Sequence, residues 1–214
     1  MTGSTLLHIR HLQKSFGSHK VLEIDDWEIT QGLYWIQGEN GAGKSTLFRV
    51  LAGMLPYTAS IVLDERYDLR TDPVEYRLRV SMGEAEPQYP AFLTPRDLIR
   101  FVARTRRAPQ GQAENLSERF GVVAYENQPV GVCSSGMVKK LSLVLSFLGN
   151  LRLIILDEPL VTIDAEARQC LFEVITEYRH QSVGFLISSH QAFDDQSIAP
   201  TQSFRIVNKT LVPF

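Results

Sequence analysis

The chain has 214 residues, a net charge of −2, and 44% hydrophobic against 21% charged residues. These values suit one globular domain, with or without a subdomain, and exclude a disordered chain. With 22 basic against 24 acidic residues, the charge balance gives no reason to expect a nucleic-acid partner, whose usual footprint is a basic face.

Leu6 to Leu12 and Val21 to Ile29 alternate apolar and polar residues and are predicted as half-buried strands. Gly32-Leu33-Tyr34-Trp35-Ile36-Gln37 reads as a buried strand, and Thr46 to Ala52 as a helix closed by Gly53. Between them runs Gly38-Glu39-Asn40-Gly41-Ala42-Gly43-Lys44-Ser45-Thr46, which fits G-x-x-x-x-G-K-[ST], the phosphate-binding P-loop. Its glycines let several backbone N–H groups converge on one anion, and the following helix adds its positive end. Lys44 can reach the β- and γ-phosphates, and the Ser45 hydroxyl can coordinate Mg²⁺.

Further along, Ile61-Val62-Leu63 and Val80-Ser81-Met82 are short strands. Thr94 and Pro95 are predicted to start a helix with Leu98, Ile99, Phe101 and Val102 on one apolar face. Arg104 to Gln112 reads as a loop, Ala113 to Phe120 as a short helix capped by Gly121, and Ser135 to Leu148 as a strong helix. Leu153 to Leu156 is an apolar strand, Asp164 to His180 a helix with Asp164 as N-cap, and Val183 to Ile187 another buried strand. Phe204 to Val207 and Thr210 to Val212 are candidate terminal strands. Buried strands alternating with helices predict an α/β protein with a mostly parallel sheet. The mostly helical stretch of about 86–150 is expected to be a lobe inserted into a single domain spanning 1–214.

Leu153-Ile154-Ile155-Leu156-Asp157-Glu158-Pro159 puts two carboxylates at the end of a core strand, where parallel sheets bind ligands. Asp157 can hold Mg²⁺ opposite Ser45, and Glu158 can orient or deprotonate an attacking water. His190, after Leu186-Ile187-Ser188-Ser189, ends a second buried strand and could reach a γ-phosphate. The two cysteines, Cys133 and Cys170, lack metal-ligand spacing and read as buried thiols of a reducing compartment. Met1-Thr2-Gly3-Ser4-Thr5 has no signal-peptide pattern. The apolar stretch from Leu141 to Leu156 is interrupted by polar residues. It is also shorter than the roughly 20 residues a spanning helix needs. The expectation is a cytoplasmic protein with no direct membrane insertion, recruited to a membrane surface by a partner.

As a set, these residues resemble the ATP-binding cassette ATPase, the nucleotide-binding subunit of ABC transporters, over nearly the whole chain. Gly38 to Thr46 is similar to the Walker A loop, Leu153 to Glu158 to Walker B with its catalytic glutamate, and Ile163-Asp164 to the end of the D-loop. The resemblance implies that Phe16 stacks on adenine and that His190 is the switch histidine. Cys133-Ser134-Ser135-Gly136-Met137 stands where the family has its Leu-Ser-Gly-Gly-Gln signature, with Ser134 and Gly136 identical. In the family that signature serves the γ-phosphate of ATP on the other subunit, which implies a head-to-tail dimer, homomeric or heteromeric. The chain departs from the family near Val80 to Pro87, where no glutamine stands at the expected place; Glu84 is the preferred occupant and Glu86 the second, and a glutamate there could bind Mg²⁺. Leu160-Val161-Thr162-Ile163-Asp164 also departs from the usual Thr-x-Gly-Leu-Asp.

The resemblance implies Mg²⁺-dependent ATP hydrolysis that powers a separate integral membrane permease. Two other readings are an ABC ATPase of a soluble assembly and a nucleotide-gated binding module with little turnover. A chromosome-type ATPase is excluded, because the interval from Lys44 to Ser134 cannot hold a long coiled coil.

Overall fold

A computed structural model of the chain describes residues 4–189 and 198–214. Strands β1 (Thr5–Phe16) and β2 (His19–Thr30) form a long antiparallel hairpin. The apolar alternation marks only the middle of each; polar residues extend both ends, because ladder pairing continues past the buried face. Against β4 (Thr58–Leu63), β1 shifts register between Arg10 and Gln13, and His11 there has φ +53°. The irregularity returns Leu12 to the buried face already lined by Leu7 and Ile9.

From β2 the chain enters β3 (Leu33–Gln37), then the glycine-rich loop, then α1 (Lys44–Leu51). Ala52 caps α1 and Gly53 follows at φ +69°, one residue beyond the helix end. After β4 come β5 (Tyr67–Asp68), α2 (Pro73–Arg79) and β6 (Val80–Gly83). Neither β5 nor α2 is visible in the sequence pattern: both are short, and α2 buries only Tyr76. The Tyr76 hydroxyl donates to the Leu51 carbonyl at 2.8 Å, which closes the end of α1.

The helical stretch contains α3 (Pro95–Thr105), α4 (Gln112–Arg119) and α5 (Ser135–Phe147). Thr94 caps α3 in a full capping box with Asp97. The expected apolar face of α3 is corrected at one position. Leu98 and Ile99 are buried, but Phe101 is 68% exposed. At 3.6 residues per turn, Phe101 lies about 60° beyond Leu98, on the side away from Ile99 and Val102. The predicted loop also shortens: Arg104 and Thr105 belong to α3, and Gln112 to α4.

The chain then forms β7 (Leu153–Asp157), α6 (Ala165–His180), β8 (Gly184–Ser188), β9 (Gln202–Val207) and β10 (Thr210–Pro213). One sheet has the order β2-β1-β4-β5, and the other β10-β9-β3-β8-β7-β6. In the second, β9, β3, β8, β7 and β6 run parallel, and β10 turns back antiparallel to β9. This is the α/β architecture expected: a mostly parallel sheet, an antiparallel β layer from the N-terminal strands, and helices.

Alternate residues of the central strands feed two cores. Leu33, Ile154, Leu156, Phe185 and Ile187 join α3, α4, α5 and α6 in one cluster. Tyr34, Ile36, Leu153, Ile155 and Leu186 join α1 and the antiparallel sheet in the other. Strands covered on both faces carry continuous apolar runs, as β7 and β8 do. The C-terminal ends of β3, β7 and β8 therefore open on the same edge of the sheet.

Candidate functional site

The loop between β3 and α1 owes its shape to glycine. Gly41 has φ +80° and Gly43 has φ +107°, conformations that a side chain resists. At Gly43 a Cβ would also sit 3.1 Å from Leu22 and Val21 side-chain atoms. Gly43 is the N-cap of α1, and the first turn of α1 carries no acidic residue. No carboxylate of that turn therefore occupies its free N–H groups, which can meet an anion. The Lys44 side chain is buried and folds back over the loop, donating to the Gly38 carbonyl at 2.7 Å and the Glu39 carbonyl at 3.2 Å.

Glu39, Asn40, Gly41, Gly43, Lys44, Ser45 and Thr46 line a cleft of about 240 Å³ whose other wall is Asp157 and Glu158. Asp157 ends β7 and is 2% exposed. Its Oδ1 accepts from Ser188 Oγ at 2.5 Å, and the same Ser188 oxygen accepts from the Glu158 N–H at 3.0 Å. Glu158 has φ +45°, a left-handed conformation that turns the chain sharply out of the sheet. Ser188, fully buried at the end of β8, thus fixes one side of this turn. Sequence reading passes over Ser188 in favour of His190. No local pattern marks Ser188, because its role follows from the pairing of Asp157 with Ser188 in the sheet.

The cleft fits a magnesium-bound phosphate chain. Ser45 and Asp157 supply one hydroxyl and one carboxylate oxygen to the same cavity. That hard, sparse donor set suits Mg²⁺, which keeps waters and takes phosphate oxygens for the rest of its shell. Among the described residues no cluster of three His, Cys, Asp or Glu side chains forms a self-sufficient metal site. Glu84 is not brought to the cleft. Its Oε1 accepts from Arg49 Nε of α1 at 2.8 Å, and it does not line the cavity. His190 lies outside the described residues.

A second hollow of about 450 Å³ adjoins the first through Glu39, Asn40 and Gly41, and Ala42 lines it as well. Its other walls are His19, Lys20 and Val21 of β2 and the turn from Arg205 to Lys209. Phe16 is half-exposed and pairs across the hairpin with His19, which lines this hollow; Phe16 itself is not among the lining residues. Lys14 Nζ lies 4.7 Å from the ring centroid. A half-exposed aromatic ring of this kind can stack on a flat heterocyclic base.

Ser134 and Gly136 do not line the cleft of their own chain. Ser134 is the N-cap of α5, where its Oγ accepts from the Met137 N–H at 3.2 Å. Gly136 is pressed against the turn after β7: a Cβ there would lie 2.8 Å from the Thr162 carbonyl oxygen. Asp164 caps α6 by accepting from the Ala167 N–H, and its other oxygen takes Lys140 Nζ at 2.9 Å. These two partners, the backbone amide first, hold the Asp164 carboxyl below its ordinary value.

One side chain in this region has no counterpart in the sequence reading. Lys139 of α5 is 2% exposed and donates to the carbonyls of Glu84 at 2.8 Å, Ala85 at 3.0 Å and Asp157 at 3.2 Å. Burial pushes its ammonium down to about 8, against the opposing pull of Asp157, Glu158 and Glu84.

Comparison with known proteins gives the family. A family model described as ABC transporter matches residues 25–161. An uncharacterized ABC transporter ATP-binding protein, YhaQ of Bacillus subtilis, is 31% identical over 87% of this chain and 63% of its own length. The ribose import ATP-binding protein RbsA of Lactococcus lactis is 30% identical over 86% of this chain and 40% of its own. The chain therefore spans less than two thirds of either relative. The lantibiotic transport ATP-binding protein SrtF of Streptococcus pyogenes is 29% identical over 97% of this chain and 90% of its own. Among solved structures, an ATP-binding subunit of an ABC transporter superposes with a TM-score of 0.86 at 24% identity, over 98% of this chain and 90% of that one. The ADP conformation of an ATP-binding cassette gives 0.73 at 21%, over 97% and 89%. At these identities the structural matches speak for the fold.

Proposed function

Because the chain belongs to the ABC transporter family of ATP-binding proteins, we propose that it binds ATP with Mg²⁺, hydrolyses it, and powers a separate membrane permease. The observation that carries the reading is the shared cleft: the Lys44 loop on one wall, Asp157 and Glu158 on the other. In this proposal the loop N–H groups and Lys44 hold the β- and γ-phosphates, and Lys44 exchanges its two carbonyl acceptors for phosphate oxygens. Ser45 and Asp157 would hold the Mg²⁺, which would neutralise charge on the phosphates. Glu158 stands next to Asp157 and takes a proton from water as its oxygen bonds to the γ-phosphorus and the bond to ADP breaks. Phe16 stacks on the base. His190 is proposed to contact the γ-phosphate.

Ser134 and Gly136 point to a second subunit, since neither serves the cleft of its own chain. We place them against the γ-phosphate bound by the partner of a head-to-tail dimer. The helical lobe offers a surface for the permease: Phe92 and Phe101 are exposed, and Arg100 and Arg104 stand exposed beside Phe101 on α3. No helix among the described residues is long and apolar enough to cross a membrane. A peripheral site at the cytoplasmic face of the membrane follows from that partnership.

Phosphate release is the direct test. Glu158→Gln keeps the size and hydrogen-bonding reach of the side chain but removes the base, and a loss of about 100-fold in kcat with ATP binding retained is expected. A variant that turns over at the parental rate removes Glu158 from this role. Purification from membranes with a multi-span partner supports transport; recovery with soluble assembly proteins replaces it.

A further inference from the structure

Lys139 is the feature that nucleotide chemistry leaves unexplained. A buried ammonium is costly unless each of its donors is met. A lysine has three donors, and here three carbonyls from two separate segments meet them. Glu84 and Ala85 follow β6, in the stretch that leads to α3, and Asp157 ends β7. None of the three acceptors is a carboxylate, so the hydrogen bonds fix backbone, while Asp157, Glu158 and Glu84 supply the opposite charge nearby.

Its neighbours show what is being fixed. Ser188 holds the Asp157 side chain and the Glu158 N–H from β8. Lys139 holds the Asp157 carbonyl from the opposite direction, out of α5. The next residue of α5, Lys140, pairs with Asp164 at the start of α6. One turn earlier, Gly136 of α5 touches the Thr162 carbonyl. Between Ser134 and Lys140, then, a single helix end contacts the cleft turn, the segment after β6 and the entry to α6.

We propose that Lys139 is a positioning residue that locks the first turns of α5 to the Asp157–Glu158 turn and to the Glu84–Ala85 segment, so that the three move together. The proposal deepens the ATPase reading and rests on it for its kinetic half. Movement of α5 relative to the sheet is carried to the backbone that presents the metal-binding and water-orienting carboxylates. It is carried equally to the segment that leads into the exposed face of α3. Lys139 is not among the residues that line the cleft.

The experiment combines amide hydrogen exchange on the nucleotide-free chain with steady-state ATPase kinetics. In Lys139→Met, exchange in peptides covering 83–88 and 156–161 should accelerate by about tenfold while the β1–β2 hairpin is unchanged. The kcat should fall about tenfold with the KM for ATP within about threefold, and Lys139→Arg, which keeps the charge and donors, should recover most of both. Unchanged exchange in either segment overturns the proposal, as does a parental kcat in Lys139→Met. If Lys139→Met does not fold, Lys139→Arg and Lys139→Gln decide: arginine must give the greater protection and rate, and equal values overturn it. If the parent shows no hydrolysis, the exchange measurement still judges Lys139, and only the ATPase reading falls.

Discussion

Two buried lysines divide the work of this molecule differently. Lys44 and Lys139 are both nearly hidden, and both spend their donors on backbone carbonyls. Lys44 lines an open cleft, and its acceptors belong to the loop that starts at Gly38. In the proposed function those bonds are traded for phosphate oxygens, and the acceptors lie on a loop that opens to solvent. Lys139 sits where three elements meet and fills all three of its donors within the fold. The lesson is that the accessibility of the acceptors, rather than the chemistry of the ammonium, separates a ligand-binding lysine from a fastening one.

The sharpest way to break the comparison is Lys44→Ala. Removing the phosphate contact should cut ATP turnover by about 100-fold or more and shift the melting temperature by only a few degrees. Phosphate release and a thermal melt measure the two halves. A large loss of stability with turnover retained would make Lys44 a fastener like Lys139. Gly136→Ala tests the α5 side. Its Cβ meets a backbone oxygen rather than a side chain that could swing away. The expected cost is about 2 kcal/mol of stability, read as a lowered denaturant midpoint.

Ser188→Ala probes the turn between the two regions. It leaves the buried Asp157 oxygen and the Glu158 N–H without their shared partner. A loss of about 1.5 kcal/mol in urea unfolding is expected, together with weaker Mg²⁺ dependence of nucleotide binding. The smallest effect belongs to Asp164→Ala, which removes an N-cap and should cost about 1 kcal/mol. The sign with pH is fixed by the lowered Asp164 pKa. The carboxylate's contribution is complete above the ordinary carboxylate range and is lost as pH falls through its depressed folded-state value. Asp164→Asn should therefore differ from the parent at neutral pH and converge with it in acid, by urea melts across that range.

Much of the site is legible in the sequence because it is local. The glycine loop, Asp157-Glu158 after an apolar run, and the Thr94 cap are each written within a few consecutive residues. What escapes depends on which distant segments meet. Ser188 matters because β8 pairs with β7, and no spacing in the chain reports that pairing. Lys139 reads as an ordinary polar position of an amphipathic helix until β6 and β7 are placed beneath it. The pairing of the Glu84 carboxylate with Arg49 of α1 is likewise a contact between distant segments that no local pattern announces. Phe101 joins an apolar run in sequence yet faces outward, which periodicity alone would have shown if taken residue by residue.

The strand order has one more consequence. β8 lies between β3 and β7, so the loop that leaves β3 and the carboxylate that ends β7 stand two strand spacings apart. At about 4.8 Å per spacing, that is a gap of about 10 Å. Neighbouring strands would leave half of that, too little for a phosphate group and a hydrated cation side by side. β8 is thus the gauge of the cleft, and its width is set by the hydrogen-bond ladder rather than by any residue that lines it.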